Sequence, residues 1–190
     1  TIKIEHLLQH RKLLPTLRDT GCEFITCAVE SVDDATLVRY EKHHTREDFV
    51  EAVNLFRSIG LTMNPTFVTF SPWSTLEGYI DLLTLLLELD LVDNVAPIQY
   101  AIRLLLPSES RLLELEEVRD LVGPFDPAQL SYPWTHPNPK MDALYREVLA
   151  IVKSGQSAGE NRRHIFAEIW AKAHQMAELV VESSLSTAFM

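Results

Sequence analysis

The sequence predicts an α/β protein built on parallel strands. Short apolar strands alternate with amphipathic helices. The repeating unit is about 35 residues long, as in a βα barrel or a doubly wound sheet. No G-x-G-x-x-G motif follows a strand, which argues against a dinucleotide-binding fold. Four such units cannot close an eight-stranded barrel, so the sheet is either open or part of a larger barrel.

The elements of the first half follow in order along the chain. Alternating or continuous apolar runs predict four strands, at residues 1–5, 23–30, 62–70 and 95–105. Helical spacing of apolar residues predicts the helices between them, at residues 6–19, 34–40, 46–59 and 75–91. Thr45 and Asp48 have the spacing of a capping box, and Gly60 stands where a helix ends.

After Pro107 the pattern changes to helices and a proline-rich loop. An acidic amphipathic helix is predicted at 112–121. Asn138 followed by Pro139 begins another helix after the loop. Ser157 and Glu160 predict a capping box for a last helix. We therefore expect a partial βα barrel at residues 1–106 and a helical extension at residues 107–190.

Composition narrows the functional classes. The chain has 17 basic and 27 acidic residues, a net charge of −10, and no basic stripe, which argues against binding to a nucleic-acid backbone. No apolar run reaches the ~18 residues of a membrane helix, and no signal peptide is recognised. We expect a cytoplasmic protein without a membrane partner. Because Thr1 already lies in a predicted strand, we also expect a trimmed chain or a fragment.

The strand at 23–30 ends in a carboxylate. Alternation places Phe24, Thr26, Ala28 and Glu30 on one face, which is small and polar toward its carboxyl end, as in a barrel lumen. The opposite face is apolar and suited to packing against helices. Glu30 is therefore a candidate ligand-binding residue at a strand's carboxyl end. The structural alternative is a helix cap or an ion pair with Arg103.

The strand predicted at 95–105 carries two further candidates. Gln99 and Arg103 would share one face of an otherwise apolar strand, and both need partners if buried. The histidines His43, His44 and His136 are interpreted as solvated loop residues, since no carboxylate stands at metal-ligand spacing from them.

Residues 1–106 resemble the middle of radical S-adenosylmethionine (radical SAM) enzymes, in the branch of the Elongator catalytic subunit and the methylthiotransferases. That branch has a G-V-E-S strand end, then K-x-x-T, a helix ending in A-G, and G-x-P-x-x-T. The G-x-P-x-x-T motif falls within residues 67–75, with Pro72 and Thr75 aligned. The other matching positions are Ala28, Val29, Glu30, Ser31, Asp33, Asp34, Leu37, Lys42, His44, Thr45 and 52–60.

The resemblance implies strands three to six of a (βα)6 barrel. Glu30, with Ser31 beside it, would contact the ribose of S-adenosylmethionine. Thr69 and Ser71, at the fifth strand end, would lie near its adenosine or methionine moiety. Gln99 and Arg103, on the sixth strand, would contact the cofactor or the substrate.

The resemblance also implies cofactors and a reaction. A [4Fe-4S] cluster and an external electron donor would cleave S-adenosylmethionine to a 5′-deoxyadenosyl radical, which abstracts hydrogen from a substrate. The sequence departs from the family in two places. Phe70 or Ser71 replaces the glycine before Pro72, and the C-x-x-x-C-x-x-C cluster motif is missing. Its ligands are expected before Thr1, so we expect the chain alone to be inactive and the truncated barrel to self-associate.

Two other functions fit the residues. One is a non-radical α/β-barrel enzyme that uses Glu30 as a general base. The other is a non-catalytic interaction module whose partner surface is the helix at 112–121 together with the last helix. Cys22 and Cys27 are five residues apart, the first beginning the strand and the second within it. They are interpreted as small buried residues rather than metal ligands.

Overall fold

A computed structural model of the chain describes residues 1–188, and the side chains of residues 1–178. It confirms an α/β protein with an open, three-stranded parallel sheet. The strands are β1 (Ile2–Lys3), β2 (Phe24–Glu30) and β3 (Thr62–Phe67), in the order β1-β2-β3. Ile2 lies opposite Cys27, and Phe24 lies opposite Thr62. All carboxyl ends of the strands therefore meet at one edge.

The prediction of a fourth strand over residues 95–105 is wrong for most of its length. This segment forms a 3-10 turn at Pro97–Ala101, and another 3-10 turn precedes it at Val92–Asn94. Pro97 has no N–H to donate to a neighbouring strand and has a φ angle suited to the first residue of a turn. The segment reaches the sheet only at its end, where Phe70 and Arg103 form an isolated parallel bridge.

Eight α-helices surround the sheet in the described part of the chain. They are α1 (Ile4–Gln9), α2 (Leu14–Asp19), α3 (Asp34–Arg39), α4 (Arg46–Ile59), α5 (Leu76–Glu88), α6 (Glu116–Arg119), α7 (Pro139–Ala158) and α8 (Arg162–Ala188). The capping box of Thr45 and Asp48 is present, and Gly60 ends α4 at φ 72°. None of the helices in residues 1–188 has the length and apolar character needed to cross a membrane.

Three helix predictions need correction. The helix expected at 6–19 is divided into α1 and α2 by a 3-10 turn at Arg11–Leu13, and Pro15 starts the second piece. The acidic helix expected at 112–121 is a 3-10 turn at Arg111–Glu114 followed by the four-residue α6.

The cap predicted for the last helix is also wrong. Ser157 lies inside α7, which continues to Ala158 and ends at Gly159 with φ 71°. Asn161 caps α8 instead, because its side-chain Oδ1 accepts the backbone N–H of His164 at 2.9 Å.

The two faces of the sheet have different surroundings. Ile25, Cys27 and Val29 are buried in the main core, together with side chains of α4, α5, α7 and α8. The opposite face is partly open, and Phe24 is 56% exposed. A second small core contains Leu106, Val118 and Trp134. Because α7 and α8 share the main core, the domain boundary at residue 107 stays a prediction.

Candidate functional site

The end of β2 has an unusual backbone. Glu30 has φ 70°, in the left-handed region that side-chain-bearing residues rarely adopt. The pairing of β2 with β3 is irregular between Ala28 and Glu30. The Glu30 carbonyl still accepts the N–H of Val68 at 2.8 Å. Such bulges and left-handed residues are frequent beside functional sites.

Glu30 forms an ion pair that the sequence interpretation missed. Lys42 Nζ donates to Glu30 Oε1 at 2.9 Å, and the two side chains are 20% and 22% exposed. The alternative interpretation, an ion pair between Glu30 and Arg103, is wrong. Lys42 stands in the loop between α3 and α4, so the pair joins that loop to the carboxyl edge of the sheet.

Two cavities meet at Glu30. They measure about 420 and 440 Å³, and Glu30 and Val68 line both. The first cavity lies between the starts of α3 and α5 and is lined by the predicted residues Ser31, Thr69 and Ser71. The second lies between the loop after α3 and residues 111–115. Four of the six predicted site residues therefore surround one cavity.

The two hydroxyl groups from the end of β3 are already engaged within the protein. Thr69 Oγ1 donates toward the carbonyls of Ile102 and Gln99, at 3.1 and 3.3 Å. The Ser71 N–H donates to Ser74 Oγ at 2.8 Å, and the two serine hydroxyls are 3.1 Å apart. These bonds hold the loop after β3 in place beside the first cavity.

Gln99 and Arg103 line neither of these two cavities. Gln99 Oε1 accepts the N–H of Phe67 at 2.9 Å, which replaces a missing strand hydrogen bond. The Arg103 guanidinium donates to Asp142 Oδ1 at 2.7 Å and to the Trp134 carbonyl at 2.9 Å. It also lies 3.7 Å from the centre of the Trp134 ring. Arg103 thus connects the sheet edge to the loop before α7 and to the first turn of α7.

Trp73 lines the first cavity, and Tyr40, which packs against it, lines the second. Their rings are 5.9 Å apart in an edge-to-face arrangement. Burial raises the pKa of Tyr40, and the nearby Ser71 side chain opposes that rise. The phenol oxygen nevertheless has no partner at hydrogen-bond geometry among the described residues. Trp73 also packs against the second core.

Residues 107–119, here called the covering segment, form one side of the second cavity. Arg111 pairs with Glu41 at 2.6 Å, and Glu117 accepts from Arg39 at 3.1 Å. Trp73 Nε1 also donates to Glu117 at 2.8 Å. The Trp73 hydrogen bond and then Arg39 lower the pKa of Glu117. These contacts are exposed and individually weak, while burial of Val118 fixes the covering segment more firmly.

Two histidines interpreted as solvated are buried. His44 Nε2 lies 3.1 Å from the Val29 carbonyl, behind β2. His136 accepts the Asn138 N–H at Nδ1 and faces the Ser74 carbonyl with Nε2 at 3.0 Å. His136 Nδ1 also lies 3.1 Å from the Asn138 carbonyl, so both ring nitrogens have backbone partners. Burial lowers the pKa of both histidines.

The cysteines do not form a cluster site. Cys27 is fully buried within β2, and burial raises the pKa of its thiol to about 12. Iron–sulfur clusters are held by thiolates, which such burial disfavours. Cys22 lies at the opposite end of the strand from Glu30. The two thiols therefore do not fit a cluster at the carboxyl edge.

Comparison with known proteins adds no assignment. No family model matches the chain, and no curated protein matches it. Functional interpretation therefore starts from the geometry around Glu30.

Proposed function

We propose that this chain is part of a radical SAM enzyme and that its carboxyl sheet edge binds S-adenosylmethionine. The strands follow one another in sequence order, and Arg103 reaches the sheet beside β3. A parallel sheet usually has both faces covered or closes into a barrel. Here one face is partly open and carries Thr26, Ala28 and Thr66, as expected for a segment of barrel wall.

The observation that carries the proposal is the position of Glu30. Its carboxylate stands at the end of the central strand and lines both cavities. Lys42 engages Oε1, and a carboxylate has further acceptor sites for the hydroxyl groups of a ribose. A cavity of about 420 Å³ is within the usual size range for small-molecule sites. The residues around it therefore fit an adenosyl group.

The residues of this chain would bind and orient rather than carry the reaction. Glu30 and Ser31 would hold the ribose, and Thr69 and Ser71 would shape the floor of the first cavity. When bound beside a reduced iron–sulfur cluster, S-adenosylmethionine supplies a 5′-deoxyadenosyl radical for hydrogen abstraction. Because the two cysteines do not fit a cluster, the cluster ligands would lie outside this chain.

The second cavity would receive the substrate. It adjoins the first at Glu30, so a molecule in it would lie next to the adenosyl group. Leu104, Leu112 and Leu115 supply an apolar wall. The covering segment would keep bulk water away from this position, which protects a reactive species.

The experiment is a binding comparison with S-adenosylhomocysteine, a stable analogue, by isothermal titration calorimetry. Glu30→Gln keeps the side-chain shape and removes the charge, so it should weaken binding about tenfold, or 1.4 kcal/mol. Glu23→Gln, at the other end of the β2 segment, is the matched control and should bind like the parent. Equal affinity of the Glu30 and Glu23 variants, or no binding by the parent protein, would contradict the proposal.

The alternatives receive less support. A partner surface formed by residues 112–121 is weakened by the burial of Val118 and the shortness of α6. A non-radical enzyme with Glu30 as general base would act without S-adenosylmethionine. It remains the second candidate because Glu30 lines both cavities.

A further inference from the structure

A cluster of metal-ligating side chains lies far from the candidate site, where α7 turns into α8. Glu160, His164 and Glu168 each offer one ligand atom, and these atoms all lie within 4.8 Å of one another. Both carboxylates face the same imidazole nitrogen. His164 Nε2 is 3.7 Å from Glu160 Oε2 and 3.8 Å from Glu168 Oε1. We infer that these three residues bind a divalent transition metal ion of the Zn²⁺ class.

The spacing is close to what such an ion requires. Zn²⁺ binds nitrogen and oxygen at ~2.0–2.2 Å, so neighbouring donors in a tetrahedron stand about 3.3–3.5 Å apart. The two contacts of His164 need to shorten by only a few tenths of an ångström. Glu168 is exposed and can rotate to close the remaining distance. An imidazole in the donor set favours Zn²⁺, Co²⁺ or Cu²⁺ over Mg²⁺ and Ca²⁺.

One ligand is held in place by a neighbouring helix. The Glu160 N–H donates to the Gly155 carbonyl at 2.9 Å. A Cβ at position 155 would lie 2.9 Å from Glu160 Oε2, the same oxygen that faces His164. The missing side chain at Gly155 therefore leaves the space in which the Glu160 carboxylate sits. This preorganisation reduces the entropy lost on metal binding.

Two cationic side chains of α8 close to the cluster pair with carboxylates outside it. Arg163 pairs with Asp90 and Asp93 on the opposite side. Lys172 pairs with Glu147. The two carboxylates of the cluster repel one another, and a divalent cation would offset both negative charges.

The site would leave coordination positions open to water. All three side chains are exposed, and three protein ligands are fewer than Zn²⁺ takes. The ion would tie Glu160, in the turn after Gly159, to two successive turns of α8. Its effect would therefore be confined to the connection between α7 and α8.

The test is a titration of the full chain with Co²⁺ followed by visible absorption, and with Zn²⁺ followed by calorimetry. We expect one equivalent to bind, with the absorption bands of a nitrogen- and oxygen-ligated Co²⁺. His164→Ala should weaken binding tenfold or more. Glu160→Gln and Glu168→Gln should each weaken it while leaving the helical circular dichroism unchanged.

The control variant is His10→Ala, which removes an exposed histidine from another part of the surface. It should bind Co²⁺ like the parent. Equal binding by the parent and His164→Ala would place the ion elsewhere and overturn the inference. Failure of the parent to saturate at one equivalent would also overturn it.

Discussion

Lys42 Nζ lies 2.9 Å from Glu30 Oε1, and this contact connects the loop after α3 to the end of the central strand. Both side chains are mostly buried at the boundary of the two cavities. A charge pair in such a position is worth more than a surface pair, because removal of one partner leaves the other poorly solvated.

Lys42→Met should therefore lower the free energy of unfolding by about 1–2 kcal/mol, between the values for exposed and buried pairs. Urea denaturation measures the change. The double variant Glu30→Gln/Lys42→Met should lose less than the sum of the single variants, since the interaction can be lost only once. Strict additivity would show that the pair contributes nothing.

The left-handed backbone of Glu30 gives a second prediction. At φ 70°, Glu30→Gly should be more stable than Glu30→Ala by about 1 kcal/mol, because only glycine adopts this conformation without steric cost. Both variants lack the carboxylate, so the comparison isolates the backbone. Thermal unfolding of the two variants side by side measures it. If Glu30→Ala were as stable as Glu30→Gly or more stable, residue 30 would not have a left-handed backbone.

Arg103 should tolerate no conservative replacement. Its guanidinium donates to Asp142 and Trp134 while lying on the Trp134 ring. Lysine cannot make both hydrogen bonds in one plane. We expect Arg103→Lys to lose about 1–2 kcal/mol in urea denaturation. Arg111→Lys, at an exposed pair, is the matched control and should change stability by less than about 0.5 kcal/mol.

Gly155→Ala should destabilise the protein although alanine is the better helix former. A Cβ at this position would lie 2.6 Å from Ile165 Cγ1, so α7 and α8 would have to separate. Overpacking of this kind costs about 1–3 kcal/mol, more than the ~1 kcal/mol gained in helix propensity. Ile165→Ala removes the contacting atoms. In that background, Gly155→Ala should lower the stability much less. Stabilisation by Gly155→Ala alone would contradict the close packing.

Buried histidines should make stability depend on pH. Burial lowers the pKa of His44 and His136 below the usual 6.5, so the unfolded chain binds protons more readily than the native one. Stability is therefore fully present above about pH 6.5 and is lost as pH falls through the lowered native values. His44→Gln/His136→Gln should flatten the dependence of unfolding free energy between pH 7 and pH 5.

The matched control for that measurement is His43→Ala. His43 is exposed and adjoins His44 in the chain. Its removal should leave the slope with pH unchanged, because the two buried imidazoles remain in place. A slope that survives the double substitution would assign the acid sensitivity to carboxylates instead.

The sequence was informative where local signals determine the structure. The amphipathic pattern of α4 and its capping box identified that helix with its bounds. The alternation of β2 identified which of its faces is buried. The sequence did not predict that the Gln99 side chain accepts a hydrogen bond from the Phe67 N–H. Pro97 interrupts the apparent strand, and tertiary packing determines where Gln99 lies. Lys42 as the partner of Glu30, and the burial of His44 and His136, depend on contacts between segments distant in sequence.

The attachment of Arg103 to Trp134 and Asp142 determines how the protein can come apart. Cleavage in the loop that precedes Asn138 would place the guanidinium and the carboxylate on separate pieces. If these pieces separated, each charge would lose its counter-charge at a partly buried position. Such pieces should remain associated after proteolysis and unfold as one cooperative unit.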